Sequence, residues 1–287
     1  CFPSTTGPAY LPYVTGCFPG TCNIPGIRWI DKPTYAKKGW GLKSFRSYCG
    51  LEAMLFDGDM EQKVTTAWEV FENPTSIFNG VTKGLKSGGD LTKFSRIWHY
   101  YYSHLTDRWA FIDQAALKKT KRMIEKKEFD FSFVVLPSID EYAHRSGPKH
   151  KRVRQAYAEL DTIVGEMIQS LKDNDIYEET LLYIVSDHGH SETTEHFDIG
   201  PWLEEKKNLK TFYYTNIFKF KFDAVSMVSG NGMSHLYLKG KNGWESRKTF
   251  EEISYDSLLL DELRQRPEID IVVTEGADGS IHLQTER

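Results

Sequence analysis

Hydrophobic and polar positions follow two different periods in the centre of the chain. Residues 131–136 are almost continuously apolar, whereas residues 153–171 repeat apolar side chains every three or four positions, which is the period of one helix face. Residues 181–185 form a second continuous apolar run, a pattern typical of a strand buried on both faces in a parallel sheet. The order strand, helix, strand predicts a βαβ unit.

Similar patterns on both sides of this unit predict further elements. Residues 64–71 and 109–127 have the period of amphipathic helices, and residues 255–265 predict a helix that leads into a strand at 269–273. The polar, glycine-containing turn at 275–279 then connects to a strand at 281–284. We therefore expect an α/β fold with a mostly parallel central sheet, helices on both faces and a small C-terminal β-hairpin.

One stretch, residues 79–106, fits neither period. It contains four glycines followed by an aromatic cluster at 98–102, and we expect it to be an insertion over the sheet edge. We interpret the cluster as core packing rather than as a surface that stacks a nucleobase. The remaining pattern predicts a single catalytic domain over residues 1–287.

Net charge and hydrophobic content limit which kinds of partner the protein could bind. The formal net charge is −4 and 40% of the residues are hydrophobic, which fits a globular protein and argues against general binding to a nucleic-acid duplex. The apolar runs are far shorter than the roughly 20 residues of a membrane-spanning helix, so we expect no membrane span and a small-molecule substrate. The lack of a signal-peptide pattern favours a cytoplasmic over an extracytoplasmic location, and nothing indicates an oligomeric state.

The candidate chemistry follows the two predicted central strands. Asp140 and His144 come after the first strand, and Asp187 and His188 come after the second. Ligands bind at the carboxyl ends of strands in open α/β sheets, and residues four apart on a helical turn point the same way. We therefore expect the two clusters to meet in space.

The residue types in these clusters suit a metal. Carboxylates and imidazoles without a thiolate favour zinc, with manganese or iron as the alternatives. A single Asp–His pair in a loop is more often a surface hydrogen bond, but two such pairs at equivalent strand ends favour a two-metal site. Paired metals are a common solution for phosphoester chemistry because they neutralise phosphoryl oxygens and activate the attacking group.

A candidate nucleophile lies near the start of the chain. Three hydroxyl residues at positions 4–6 precede Gly7 and Pro8, and proline suits the first turn of a helix. We expect this helix to be short or kinked, because the ring of Pro12 clashes with the preceding turn. A hydroxyl at a helix N-terminus favours an alkoxide and an incoming phosphate, although a plain N-cap is the alternative.

Together these segments resemble the alkaline phosphatase superfamily and, within it, the type I phosphodiesterase/nucleotide pyrophosphatase family. The resemblance covers nearly the whole chain. It rests on three motifs: Pro3-Ser4-Thr5-Thr6-Gly7-Pro8, Asp140-x-x-x-His144-x-x-Gly147-Pro148, and Ser186-Asp187-His188-Gly189.

The resemblance implies a hydrolase with two zinc ions and a threonine nucleophile, working through a phospho-threonine intermediate that water then hydrolyses. Thr6 aligns with that threonine. Asp140 and His144 would hold one zinc, together with a later histidine. Asp187 and His188 would hold the other zinc beside Thr6, which would itself be a ligand.

The resemblance assigns the later histidine to His235, with His190 and His196 as rivals. The chain departs from the family pattern at two places. The family takes a further aspartate from a strand upstream of the nucleophile, and nothing precedes Cys1 here, so we expect that strand to be missing or the second zinc site to be incomplete. Ala9 stands where many members have an asparagine, so oxyanion stabilisation would fall to the zincs and backbone N–H groups.

The predicted function is hydrolysis of a phosphodiester, pyrophosphate or phosphonate bond. Diesters are favoured over monoesters because no arginine lies near Thr6 in the sequence. Two alternatives stay open: a phospho-group transferase of the same superfamily, and a metal-binding pseudoenzyme that lacks one aspartate ligand.

Overall fold

The computed structural model describes residues 3–214, 221–230, 232–256 and 258–285. Its contacts divide the chain into two compact units. Unit 1 consists of Cys1–Ile27 and Tyr48–Glu192, and unit 2 consists of Arg28–Ser47 and Thr193–Arg287. No helix within the described ranges combines the length and the apolar character that a bilayer crossing requires. The single catalytic domain stays a prediction.

The helices of the described residues are mostly short, apart from three in unit 1. They are α1 (Leu11–Thr15), α2 (Lys32–Lys38), α3 (Phe56–Asp59), α4 (Ala67–Val70), α5 (Arg96–Thr106), α6 (Ala110–Lys126), α7 (Ser138–Ser146), α8 (Lys151–Asp173), α9 (Ile199–Lys207), α10 (Phe250–Asp256) and α11 (Leu259–Arg264).

The strands are short as well, and they form small sheets. They are β1 (Arg28–Ile30), β2 (Phe45–Ser47), β3 (Pro74–Ile77), β4 (Phe131–Val134), β5 (Thr211–Phe212), β6 (Ala224–Val228), β7 (Ser234–Leu238), β8 (Val272–Glu275) and β9 (Ile281–Gln284).

Unit 1 is built around a parallel strand pair. β3 and β4 run parallel, with Pro74 opposite Phe131 and Ile77 opposite Val134. α5 and α6 lie between these strands in the chain, as the crossover between parallel strands requires. The carboxyl end of the pair packs into a core that includes Ile77, Trp109 and Ile112. α6 packs against α8, whose apolar stripe includes buried Val153, Ala156 and Ile163.

Unit 2 contains a three-stranded sheet in which β6 pairs with β5 in parallel and with β7 antiparallel. β1 and β2 form an antiparallel pair. The core includes Ile30, Phe45, Phe212 and Val225. β8 and β9 form an antiparallel hairpin, which confirms the predicted C-terminal hairpin.

Elements with a strong helical or strand pattern agree with the sequence analysis. β4 and α8 confirm the strand and the long helix that begin the predicted βαβ unit, and α6 confirms the helix at 109–127. The predicted helix at 255–265 falls on α10 and α11, between which residue 257 lies outside the described residues. The unassigned stretch 79–106 contains α5, so the aromatic cluster at 98–102 lies on a helix, with the side chain of Trp98 57% exposed.

The predicted strand at residues 181–185 is wrong. These residues have no regular secondary structure, and Leu181 and Tyr183 are 78% and 76% exposed. A strand needs a neighbour to satisfy its backbone hydrogen bonds, and no described strand pairs with this segment. The described strands therefore form several small sheets rather than one mostly parallel central sheet, and the fold is mixed α/β.

Candidate nucleophile and metal site

Thr6 lies in a tight turn whose backbone conformation depends on the glycine that follows it, Gly7. The N–H of Ala9 donates to the carbonyl of Thr5 at 3.1 Å, and Gly7 has a φ of 93°, which side chains other than glycine rarely adopt. A Cβ at Gly7 would lie 2.5 Å from the ring of Tyr48. A 3₁₀ turn over Pro8–Tyr10 and the five-residue α1 follow, which confirms the short helix predicted from Pro12.

Asp140 and His144 lie on α7, which is separated from the end of β4 by three residues. Their spacing of one helical turn brings Nε2 of His144 to 3.4 Å from Oδ1 of Asp140. Both side chains are partly exposed. The predicted pairing of the two residues on one helix face is therefore confirmed.

The start of α7 is held by α6, and the start of α6 is held by α7. Buried Asp113 on α6 accepts hydrogen bonds from the N–H of Ser138, at 3.4 Å, and from its hydroxyl. In return, the Tyr142 hydroxyl on α7 accepts from the N–H groups of Trp109 and Ala110, at 3.1 and 3.2 Å. Backbone N–H groups at a helix start have no partner within the helix, so each helix caps the other and the position of Asp140 is fixed.

The second cluster lies on an irregular segment that is held by one hydrogen bond from α1 and by hydrogen bonds within the segment. The Tyr13 hydroxyl donates to the carbonyl of Ser186 at 2.8 Å, and the N–H of His188 donates to Oδ1 of Asp187 at 3.1 Å. Nδ1 of His188 lies 3.0 Å from the carbonyl oxygen of Gly189. A carbonyl can only accept, so Nδ1 is the donor in this contact, which leaves Nε2 as the ring nitrogen that faces the cluster and could bind a metal.

The two clusters meet, as predicted. Nε2 of His188 lies 3.6 Å from Oδ1 of Asp140 and 3.6 Å from Oδ2 of Asp187. One ligand atom from each of Asp140, His144 and His188 lies within 4.8 Å of the others. Two ligands about 2 Å from a tetrahedral zinc are about 3.3 Å apart. The separations and the oxygen and nitrogen donor set therefore fit a divalent metal such as zinc.

The hydroxyl of Thr6 reaches the same cluster. Its Oγ1 lies 3.2 Å from Nε2 of His188, which is again close to the spacing of two ligands on one tetrahedral ion. The neighbouring Thr5 is 4% exposed and Ala9 is fully buried, so the turn that carries Thr6 is anchored in unit 1. A hydroxyl, two carboxylates and two imidazoles thus share one small region.

The structure places the three candidate later histidines differently. Nδ1 of His190 lies 4.0 Å from Oδ1 of Asp140, and its ring centroid is 4.3 Å from that of His144. His235 lies in unit 2 on β7, opposite Met227 of β6. His196 also belongs to unit 2 and is exposed.

Burial and charge set the protonation of the groups around the site. The hydrogen bond to Asp140 raises the pKa of His144, and burial lowers the pKa of His190. Burial also raises the pKa of Glu141 to about 7. The pKa of Asp113 is raised to about 7, chiefly by burial. Carboxylates with such shifts collect at functional sites and at structural networks, and Asp113 belongs to a network that supports the site.

Three residues support the site although the sequence did not predict them: Asp113, Tyr142 and Tyr48. Asp113 did leave a signal, because it interrupts the apolar face of α6 beside buried Ile112 and Ala116. A charged residue on such a face is almost never fully buried unless it has a partner. Tyr48 left no comparable signal, since only the fold brings its ring to Gly7.

The whole chain matches one protein family. The profile of the type I phosphodiesterase / nucleotide pyrophosphatase family matches residues 1–285. The chain therefore belongs to the type I phosphodiesterase/nucleotide pyrophosphatase family, and the resemblance found in the three motifs is confirmed.

Two curated relatives carry related activities in their names. An uncharacterized pyrophosphatase/phosphodiesterase of Schizosaccharomyces pombe is 24% identical over 216 residues, which is 72% of this chain and 40% of that protein. GPI ethanolamine phosphate transferase 3 of Saccharomyces cerevisiae is 25% identical over 113 residues, which is 39% of this chain and 10% of that protein. The chain thus spans less than half the length of either relative, and no solved structure matches it.

Proposed function

We propose that this chain is part of a metal-dependent hydrolase that cleaves a phosphodiester, pyrophosphate or phosphonate bond with Thr6 as the nucleophile. The observation that carries the proposal is the 3.2 Å separation between Oγ1 of Thr6 and Nε2 of His188, next to the carboxylates of Asp140 and Asp187. Family membership supports the reaction class.

The chemistry divides into two displacements at phosphorus. Oγ1 of Thr6 loses its proton to solvent and attacks phosphorus, and the bond from phosphorus to the leaving group breaks. Water then attacks the phospho-threonine, which releases the phosphoryl product and restores the Thr6 hydroxyl. The hydrogen bond between His188 and Gly189 fixes the ring of His188 beside Oγ1, so the nucleophile is positioned before substrate arrives.

We further propose that the site binds two zinc ions, with manganese or iron as the alternatives. Asp140 and His144 would hold one ion, and Asp187, His188 and Thr6 would hold the other. Bound zinc would supply charge neutralisation at the phosphoryl oxygens and a lowered pKa for the nucleophilic hydroxyl. The separations within each set support this assignment: 3.4 Å between His144 and Asp140 in the first, and 3.6 Å from His188 to Asp187 and 3.2 Å from His188 to Thr6 in the second.

The later histidine is proposed to be His235, and His190 is its competitor because it lies 4.0 Å from Asp140. Separate His235→Ala and His190→Ala substitutions distinguish the two. The substitution that removes a ligand should lower zinc affinity at least about tenfold. The other should leave zinc affinity within about twofold of the parent chain.

The test of Thr6 uses two substitutions, one that removes the hydroxyl and one that keeps it. Thr6→Val keeps the branched shape and loses the nucleophile, whereas Thr6→Ser keeps a hydroxyl. With bis(4-nitrophenyl) phosphate as substrate, we expect Thr6→Val to lower kcat by at least about a thousandfold and Thr6→Ser to retain measurable turnover. Full turnover by Thr6→Val would refute the proposal.

A phospho-group transferase is the second candidate, because one relative is named as a GPI ethanolamine phosphate transferase. In that reaction an alcohol rather than water would attack the phospho-threonine. Product analysis with added glycerol separates the two reactions: a hydrolase gives mainly the free phosphoryl product, and a transferase gives mainly the glycerol ester.

A further inference from the structure

A cavity in unit 1, away from the Thr6 cluster, carries an unusual concentration of positive charge. It has a volume of about 500 Å³ and is lined by Lys86, Lys119, Arg122 and Lys126. Only two carboxylates, those of Glu72 and Glu128, share its lining. The chain as a whole has a net charge of −4, so this local excess of cations runs against the overall balance.

The cations face the cavity from two walls. Lys119, Arg122 and Lys126 follow one another at helical spacing along one side of α6, and Lys86 comes from the loop that precedes residue 91. That loop is fixed to β3, because the N–H of Ser76 donates to Gly89 and the N–H of Leu91 donates to Ser76, at 2.9 and 3.0 Å. The two walls are therefore held at a defined separation.

The four cations differ in their hydrogen bonding. Lys119 donates to the carbonyl of Leu91 at 2.7 Å, and Lys86 donates to the carbonyl of Glu72. Arg122 and Lys126, by contrast, make no hydrogen bond or ion pair with the residues that the structure describes. Their neighbour Lys121 shows the opposite case, because it pairs with Glu166 at 3.2 Å.

The cavity also offers an apolar surface. Pro74, Leu91 and Met123 contribute to its lining, and Met123 is 7% exposed. A volume of about 500 Å³ lies within the usual range for small-molecule sites and exceeds what one phosphate ion needs. Arginine presents a planar fork that binds phosphate oxygens in pairs. The lining thus combines groups for a phosphoryl anion with a surface for an organic substituent.

We propose that this cavity binds an organic phosphate monoester, with its phosphoryl group at Arg122 and Lys126 and its organic group against Leu91 and Met123. The site is separate from the Thr6 cluster. It lies at the amino ends of β3 and β4, beside Pro74 and Glu128, whereas α7 and Asp140 follow the carboxyl end of β4. The inference therefore does not depend on the proposed function.

The test is an NMR titration of the full chain carrying Thr6→Ala, with phenyl phosphate and inorganic phosphate as probes. The methyl group of Met123 and the N–H groups of Gly88 and Gly89 report on the cavity. We expect their shifts to saturate with phenyl phosphate, and binding of inorganic phosphate to be weaker. Probe bound at the Thr6 cluster would be seen separately, at the N–H groups of His188 and Gly189.

Two matched double variants separate a built site from general attraction. Arg122→Ala with Lys126→Ala should weaken binding of phenyl phosphate at least about tenfold. Lys118→Ala with Arg154→Ala removes the same charge from exposed positions outside the cavity and should change binding less than about twofold. Absence of a saturable shift, equal weakening by both double variants, or equal affinity for the two probes would overturn the proposal.

Discussion

Replacing Asp113 by asparagine should change how the stability of the chain depends on pH. Asp113 is 2% exposed, and its pKa rises from an ordinary value of 3.8 to about 7, chiefly because burial disfavours the charged form. The folded chain therefore binds the proton more tightly than the unfolded chain does. The stability that this carboxyl contributes is fully present below about pH 4 and is lost as the pH rises through about 7.

The shift sets the size of the effect. A difference of about three pKa units, at about 1.4 kcal/mol per unit, corresponds to about 4 kcal/mol between pH 4 and pH 8. Asparagine has nearly the same shape, does not ionise in this range, and can still bond Ser138 with its amide. The stability of the Asp113→Asn chain minus that of the parent should therefore increase by about 4 kcal/mol from pH 4 to pH 8.

The assay is urea unfolding of both chains at pH 4, 5, 6, 7 and 8, with a chelator present throughout so that metal binding does not contribute. Glu141 also has a raised pKa, but it is present in both chains and cancels in the difference. Asp113→Ala is the companion variant. It leaves the N–H of Ser138 without its partner and should be about 1 to 3 kcal/mol less stable than Asp113→Asn at every pH. A stability difference that does not change with pH would refute the reasoning.

Three further predictions concern the support of the site. Gly7→Ala should lower kcat by about a hundredfold, because the new Cβ must displace the Tyr48 ring that lies 2.5 Å from its position. Gly16→Ala is the control for a side chain at positive φ, because its Cβ meets no atom within 4 Å. An unchanged kcat in Gly7→Ala would contradict this prediction. Tyr142→Phe removes the acceptor for two N–H groups at the start of α6 and should cost about 1 to 2 kcal/mol in urea unfolding. Zinc should raise Tm of the parent chain, and His144→Ala should abolish most of that increase; an equal increase in both would argue against the metal assignment.

Regular periodicity explains which parts of the fold were predictable. The apolar stripe of α8 identifies the helix because Val153, Ala156 and Ile163 must face the same neighbour. A continuous apolar run such as 181–185 carries less information, since it does not specify a partner strand. That segment is irregular and exposed. The prediction of one central parallel sheet was wrong because it depended on a strand there.

The candidate site was more predictable than the sheet. Asp140 and His144 are one helical turn apart, and Asp187 and His188 are adjacent, so each pair is local in the sequence. Their meeting was inferred from two strand ends, and it holds although only one of the pairs follows a described strand. Asp113 could not be assigned, because its role depends on where the start of α7 lies in the fold.

The number of zinc ions held per chain tests the central claim most directly. After zinc loading and exhaustive dialysis, elemental analysis of the parent chain should give two zincs per chain. A chain with both Asp140→Asn and His188→Ala should hold none, because each proposed ion loses a ligand. Fewer than two zincs in the parent chain, or equal zinc in the parent and the double variant, would contradict the claim that the residues of this chain hold two zincs.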